Sequence, residues 1–230
     1  MVAAMKIQRF ILLALAVVCL LPASLAGQTR ILPLGDSVTS SFAPNSSYRY
    51  WLWTILTRRG FDVDFVGTQW GVAGGSPGNT DFDQHHEGHP GWTTSDLLFS
   101  IESIAAATVP DIVLLDIGSN DVLEGIPASE TRNNLVSIID ELRAVNPAVI
   151  VLLAQTTPYA GQSKRGMSML KAAVKSACKI QKRSGGRVGI VNLAASFSVK
   201  RDTIDGVHPN VRGEQKIAVR YFNVLRKLIR

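Results

Sequence analysis

The chain has 230 residues, 46% of them hydrophobic, and a formal charge of +6, which suits one sizeable domain whose core needs no covalent staples. Its two cysteines exclude a disulfide scaffold, because Cys19 lies in the N-terminal apolar run and Cys178 is left alone. Cations gather in Lys164–Lys182 and Arg212–Arg230 without interleaved aromatics, which argues against a nucleic-acid surface and reads as solvated helix faces.

The predicted elements begin with a segment apart. Lys6 and Arg9 precede an apolar run from Phe10 to Leu21, followed by Pro22, Ser24 and Ala26. Charged start, short apolar middle and small-residue exit predict a secretory signal peptide over residues 1–26, cleaved near Ala26–Gly27. The run falls short of the roughly 20 residues that a membrane span needs, so a retained anchor is the weaker alternative. Residues 27–230 then form one secreted domain without membrane insertion. Its formal charge is 22 − 18 = +4, because Lys6 and Arg9 leave with the peptide.

Five short runs rich in Ile, Val and Leu follow, at Ile31–Leu34, Val63–Val66, Ile112–Ile117, Val149–Leu153 and Val188–Val191. They lack polar alternation, as strands covered on both faces do. Helical patterns separate them: around Tyr48–Trp53, at Leu97, Leu98, Ile101, Ile104 and Ala105, and at Leu135, Ile138, Ile139 and Leu142. A further stripe runs through Leu170, Ala173, Val174 and Ala177, and the last through Ile217, Tyr221, Phe222, Leu225, Leu228 and Ile229. Thr93 and Asp96 predict an N-cap with an acidic first turn, and Cys178 beside its stripe predicts a buried, inert thiol. The alternation predicts a single-domain three-layer α/β/α sandwich with a parallel, flavodoxin-like sheet of about five strands. Trp70–Trp92 breaks the pattern. It holds six glycines, two prolines and three of the four histidines with no helix or strand period, as a functional loop would.

Reactive residues stand where such sheets bind ligands, after the carboxyl ends of strands. The first strand leads to Gly35-Asp36-Ser37, and the third to Gly118-Ser119-Asn120-Asp121. Beyond the fifth comes Asp205-Gly206-Val207-His208-Pro209. Serine attack on an ester needs a base for its proton, a group to orient that base and donors for the oxyanion. Each segment alone also reads as turn or helix-entry composition; together, in this order, they supply every residue type required. His208 is the one histidine outside the long loop, which narrows the choice of base.

Gly35-Asp36-Ser37, Gly91, Gly118-x-Asn120-Asp121 and Asp205-x-x-His208-Pro209 resemble the four blocks of the SGNH (GDSL-type) hydrolase superfamily. His86-Glu87-Gly88-His89-Pro90-Gly91-Trp92 and Pro110–Leu115 narrow the resemblance to carbohydrate esterase family 3, whose characterised members are mainly acetylxylan esterases. It runs from about Arg30 to the last helix and implies an SGNH hydrolase catalytic domain over 27–230. It also implies Ser37 as nucleophile, His208 as general base and Asp205 as its orienting acid. The N–H groups of Ser37 and Gly91 and the Asn120 amide would form the oxyanion hole. Asp36, His86 and Trp92 are expected to contact substrate. No cofactor and no metal are required. Two features depart from the family: Ser40-Ser41 where a glycine is common, and Asp116 where histidine is common.

Other signals carry less. Gly74-Gly75-Ser76-Pro77-Gly78 fits the nucleophile-elbow pattern, but Pro77 cannot supply the oxyanion N–H that follows such a serine. His85, His86 and His89 lack distant partners to complete a metal site, and either shape the Gly91 loop or line the site. Trp70 and Trp92 either stack on sugar or pack beneath the loop. Asn45-Ser46-Ser47 is a glycan acceptor pattern close to Ser37. The expectation is a secreted serine esterase that removes acetyl groups from xylan or a related polysaccharide, with no nucleic-acid partner and no stated oligomeric state. A lipase or lysophospholipase on the same scaffold, and a non-catalytic carbohydrate-binding protein, are the alternatives.

Overall fold

A computed structural model describes residues 27–229; the segment read as a signal peptide lies outside the described residues. Five strands fall where the apolar runs predict them: β1 (Thr29–Gly35), β2 (Val63–Phe65), β5 (Ile112–Asp116), β6 (Ile150–Gln155) and β7 (Arg187–Asn192). All pair in parallel, β1 with β2 and β5, then β5 with β6 and β6 with β7. Two more come from the long loop, β3 (Gln69–Trp70) and β4 (His85–Gly88). β4 pairs in parallel with the carboxyl end of β1, Leu34 opposite Glu87, while β2 takes its amino end on the same side. β3 closes that edge antiparallel to β4. The sheet therefore has seven strands rather than about five.

Side chains alternate across the sheet and meet two helical layers. Leu32, Leu34, Val113, Leu115, Val151 and Leu153 face α3 (Thr94–Thr108), α5 (Ala128–Val145) and α6 (Lys164–Arg183). Ile31, Ile112, Leu114, Leu152 and Ala154 face α2 (Ser47–Arg58) and α8 (Val211–Leu225). Burying one such side chain contributes roughly 1.5–3 kcal/mol, so the sheet is secured from both faces. Cys178 sits in the first cluster, where burial pushes its thiol up and keeps it protonated. Local chemistry sets the helix ends. Thr93 and Asp96 form a capping box that opens α3, with Thr93 N–H donating to Asp96 at 2.8 Å and Asp96 N–H to Thr93 Oγ1 at 3.3 Å. Short helices α1 (Ser37–Ser40), α4 (Ser119–Glu124) and α7 (Val199–Asp202) stand at the rim where the strands end.

One residue ties the long loop to this frame. Arg49 of α2 is fully buried. Its Nε donates to the Thr39 carbonyl at 3.0 Å and to Ser47 Oγ at 3.3 Å; Nη1 reaches the Gln84 carbonyl at 2.7 Å. Nη2 donates to the Ser40 carbonyl at 3.1 Å and to the Gly71 carbonyl. Burial lowers the guanidinium to about 10, against the opposing influence of Tyr48, Glu214 and Asp83, so it stays charged at neutral pH. Only a planar fork with donors on three nitrogens satisfies so many divergent acceptors. Arg49→Lys is expected to lower stability by about 3–5 kcal/mol, the usual result of disrupting a buried charge network. Urea denaturation measures this, and a loss within about 0.5 kcal/mol, typical of surface changes, would remove Arg49 from its central place.

Candidate active site

Asp36 ends β1 and caps α1, its Oδ1 accepting the Val38 N–H at 2.9 Å. Ser37 thus becomes the first residue of a helical turn, where the leading N–H groups have no intrahelical acceptor. On the far side, Asp205 and His208 precede α8. The Asp205 carboxylate accepts the N–H groups of Val207 and His208 at 2.9 and 2.8 Å, and its Oδ2 lies 2.7 Å from His208 Nδ1. His208 Nε2 lies 3.1 Å from Ser37 Oγ. The structure thus brings Ser37, His208 and Asp205 into one hydrogen-bonded chain. Burial works against the charge on Asp205, but the bonds from His208 and Val207 outweigh it and hold the carboxyl at about 2. It is ionised throughout the working range and fixes the ring so that Nε2 faces the serine.

The loop carrying Asp205 and His208 is anchored from below. Asp202, fully buried, accepts the Ser198 N–H at 2.6 Å and pairs with Lys216 at 2.6 Å and Arg212 at 3.0 Å. Asn210 caps α8 through the Gly213 N–H and donates to the carbonyls of Arg201 and Thr203. Ile204 N–H closes the turn on the His208 carbonyl at 2.9 Å. Phe42 meets the imidazole edge-on at 4.8 Å.

Two ties position the segments that carry Gly91 and Asn120. Asn120 of α4 donates from Nδ2 to the Trp92 carbonyl at 2.8 Å, which fixes the amide beside Gly91. Gly91 has φ +84°, a left-handed backbone that glycine adopts without a steric penalty. Asp121, next in the chain, accepts from the Thr94 N–H at 2.9 Å, from the Thr94 hydroxyl and from the Thr131 hydroxyl at 2.9 Å. It thereby locks the start of α3 to α4 and α5. Among the described residues, no hydrogen bond engages the Gly91 N–H or the Ser37 N–H, so both are free to meet a developing oxyanion.

The substrate-contact expectations divide. Asp36 is 2% exposed and its carboxyl caps α1, so it shapes the serine turn. His86 is buried, its Nδ1 accepting the Gly88 N–H at 2.8 Å. Burial, with the charges of Arg49 and His89, pushes its imidazole down to about 2, so it is neutral. Trp92 packs against the core and stacks on His89, ring centroids 3.7 Å apart. The loop histidines take separate partners, His85 with Asp83 at 2.9 Å and His89 with Glu87 at 2.8 Å. Among the described residues no group of three His, Cys, Asp or Glu side chains is arranged to hold a metal ion.

Both departures from the family pattern acquire a structural setting. Ser41 takes φ 61° and ψ 179°, a region that costs a non-glycine residue roughly 1–3 kcal/mol. Its hydroxyl donates to buried Glu214 at 3.2 Å, which offsets part of that cost. Glu214 also accepts the Ser47 N–H at 3.0 Å and the Trp51 indole at 3.2 Å. Asp116, at the end of β5, lies beneath the serine turn and accepts the Asp36 N–H on its carbonyl at 3.3 Å. Its Oδ2 is buried without a hydrogen-bond partner. Burial, and then the charge on Asp36, push the Asp116 carboxyl well above the ordinary range. Burial likewise lifts Asp36 to about 6.

Arg49, Glu214 and the tying role of Asp121 escaped the sequence patterns, which favour exposed or catalytic roles for charged residues. Asp36 did carry a usable signal, since aspartate directly before a helix start is a preferred N-cap.

Comparison with known proteins agrees with this arrangement. The model of the family described as GDSL-like Lipase/Acylhydrolase matches residues 34–216. A curated relative, the Multidomain esterase of Ruminococcus flavefaciens, is 30% identical over 240 residues, covering 93% of this chain and 31% of the relative. The chain thus spans about a third of that protein's length. Two solved structures align with TM-scores of 0.77 and 28% identity, each over 87% of this chain and 98% of its own. One is an acetyl esterase mutant with an acetate ion, the other a carbohydrate esterase family 3 protein from Talaromyces cellulolyticus.

The raised carboxyls set a pH dependence. Above the ordinary carboxylate pKa near 4, the unfolded chain releases protons that folded Asp36 and Asp116 retain. Their contribution is therefore whole below about pH 4 and is lost as pH rises through the folded values, by up to about 1.4 kcal/mol per pH unit and group. Asp116→Asn keeps the neutral shape. Its stability relative to the parent chain is expected to improve steadily from pH 4 to pH 7 in urea titrations. Parallel pH curves for the two proteins would mean that Asp116 is ionised in the fold.

Proposed function

The chain belongs to the GDSL-like lipase/acylhydrolase family and is a carboxylic ester hydrolase, and on that premise we propose that it deacetylates xylan or a related plant polysaccharide outside the cell. The observation that carries the mechanism is the chain from Ser37 Oγ through His208 to Asp205, with bonds of 3.1 and 2.7 Å.

Ser37 Oγ attacks the acetyl carbonyl while His208 Nε2 takes its proton. Asp205 stabilises the imidazolium and does not itself become protonated. The carbonyl oxygen, now negative, accepts from the N–H groups of Ser37 and Gly91 and from the Asn120 amide. The tetrahedral adduct then expels the sugar oxygen, which receives the proton from His208. Water, deprotonated by the same imidazole, attacks the acetyl-serine, and acetate departs as Ser37 regains its proton. Every participant belongs to the chain or is water, and the enzyme ends each cycle as it began.

The acetyl preference draws support from the acetyl esterase and the carbohydrate esterase family 3 protein to which the chain is similar. The N-terminal pattern from Lys6 to Ala26 supports an extracellular place. No helix among the described residues is long and apolar enough to cross a membrane. A second reading, hydrolysis of longer acyl esters, is favoured by one feature. An apolar cavity of about 240 Å³ lies between α4, α5 and α6, lined by Val122, Ile126, Met169 and Leu170, within a turn of Asn120.

Acetate release from acetylated xylan tests the first reading. Ser37→Ala is expected to lower it by about 10³-fold or more. Asn120→Ala should lower kcat by about 10²–10³ with little change in KM, because an oxyanion donor acts in the transition state. Efficient cleavage of long-chain esters with acetylated xylan untouched would transfer the enzyme to the second reading.

A further inference from the structure

A cleft of about 230 Å³ adjoins the serine turn, with Ser40, Gln69, Trp70, His89, Pro90 and Trp92 in its walls. Ser40 closes the turn that Ser37 opens, and Pro90 and Trp92 flank Gly91, so the cleft borders the two segments that carry Ser37 and Gly91. Its inner wall is rigid. His89 and Trp92 stack with an interplanar angle of 11°, His89 holds Glu87 at 2.8 Å, and its N–H donates to the Gly35 carbonyl at 2.9 Å.

Its outer wall is an exposed tryptophan. Trp70 is 63% accessible although its ring has neighbours that position it. His85, opposite it across β3 and β4, meets it edge-to-face at 4.7 Å and is itself held by Asp83 at 2.9 Å. An indole fixed in place and left uncovered offers an apolar face with polar groups nearby, the combination that makes tryptophan frequent where one side of a contact is wet.

We propose that this cleft is a glycosyl subsite, in which Trp70 stacks on the ring of the sugar that carries, or adjoins, the ester. The inference rests on the polysaccharide reading and adds where the sugar binds. A pyranose has an apolar C–H face for the indole and equatorial hydroxyls for Gln69 and the loop backbone. An acyl chain has no use for that polar lining, and the apolar cavity along α4 suits it better. The cleft is smaller than the roughly 300–1,000 Å³ of sites for drug-sized ligands. It accommodates a single sugar unit, with the rest of the polymer running into solvent past β3. Pro90 and Gly91 join the subsite wall to the oxyanion position, so a sugar seated on Trp70 presents its acetyl group toward Ser37.

The test separates binding from turnover. The Ser37→Ala protein, unable to react, is titrated with acetylated xylotriose, with and without Trp70→Ala, by calorimetry. Trp70→Ala is expected to weaken binding by about tenfold or more, and Trp70→Phe to restore most of it. In the reactive protein, the Trp70→Ala loss in kcat/KM should be carried by KM. It should also be at least about tenfold larger on acetylated xylotriose than on p-nitrophenyl acetate. Equal losses on the two esters, or undiminished sugar binding after Trp70→Ala, would overturn the subsite. Sugar binding that needs Trp70 in a protein that releases no acetate from saccharides would instead overturn the polysaccharide esterase reading and leave the subsite standing.

Discussion

The buried guanidinium of Arg49 is the constraint on which the geometry of the site depends. Its bonds gather the carbonyls of Thr39 and Ser40 at the end of the serine turn, of Gly71 after β3, and of Gln84 before β4. Among the described residues no carboxylate lies within hydrogen-bond reach of it. The charge is balanced by carbonyl dipoles, with Glu214 and Asp83 acting at longer range. A buried charge answered by dipoles is costly to form and costlier to break, so it makes a poor source of stability. Its value is geometric. A side chain with five N–H donors in one plane holds three irregular segments in a single register, where apolar packing would let them slide.

The carboxyl groups around the serine turn are sorted by environment. Asp205 lies toward solvent, takes two backbone N–H groups and the imidazole, and is held at about 2. Asp36 and Asp116 lie beneath the turn, and burial pushes both up. Such separation assigns opposite tasks to one chemical group. The solvent-side acid supplies permanent negative charge to the base. Beneath the turn, burial disfavours charge on both acids, and the charge on Asp36 adds to that effect on Asp116.

What was legible in the sequence follows from the physics that fixed it. The covered strands announce themselves, because burial on both faces demands unbroken apolar runs such as Ile112–Asp116. The residues of the serine, histidine and aspartate chain stand at strand ends, where the sheet topology alone makes them neighbours. β4 was hidden, because His85-His86-Glu87-Gly88 has neither strand composition nor alternation. Three of its four residues are nevertheless buried. Gly88 lies so close to Ser40 that a Cβ would come within 2.3 Å of its nitrogen, and Arg49 secures the chain just before the strand. These are long-range ties, and no local pattern encodes them. Arg49 escaped for the same reason, since a charged residue on an amphipathic helix reads as solvent-facing until the loop that covers it is known.

The same ties divide the site into a part that can vary and a part that cannot. Gly88 packs on Ser40, and Arg49 ties Gln84 to the serine turn, so the root of the long loop and the serine turn share one set of contacts. Asp121 links the start of α3 to α4, so the Gly91 loop and Asn120 also move together. Gln69 and Trp70 stand apart from these ties: they form an exposed two-residue strand at the sheet's edge, paired with β4 and followed directly by Gly71, whose carbonyl Arg49 holds. The chain from Ser37 to Asp205 is thus held by strand ends and buried polar ties, while the side chains of the proposed subsite stand on the exposed edge strand.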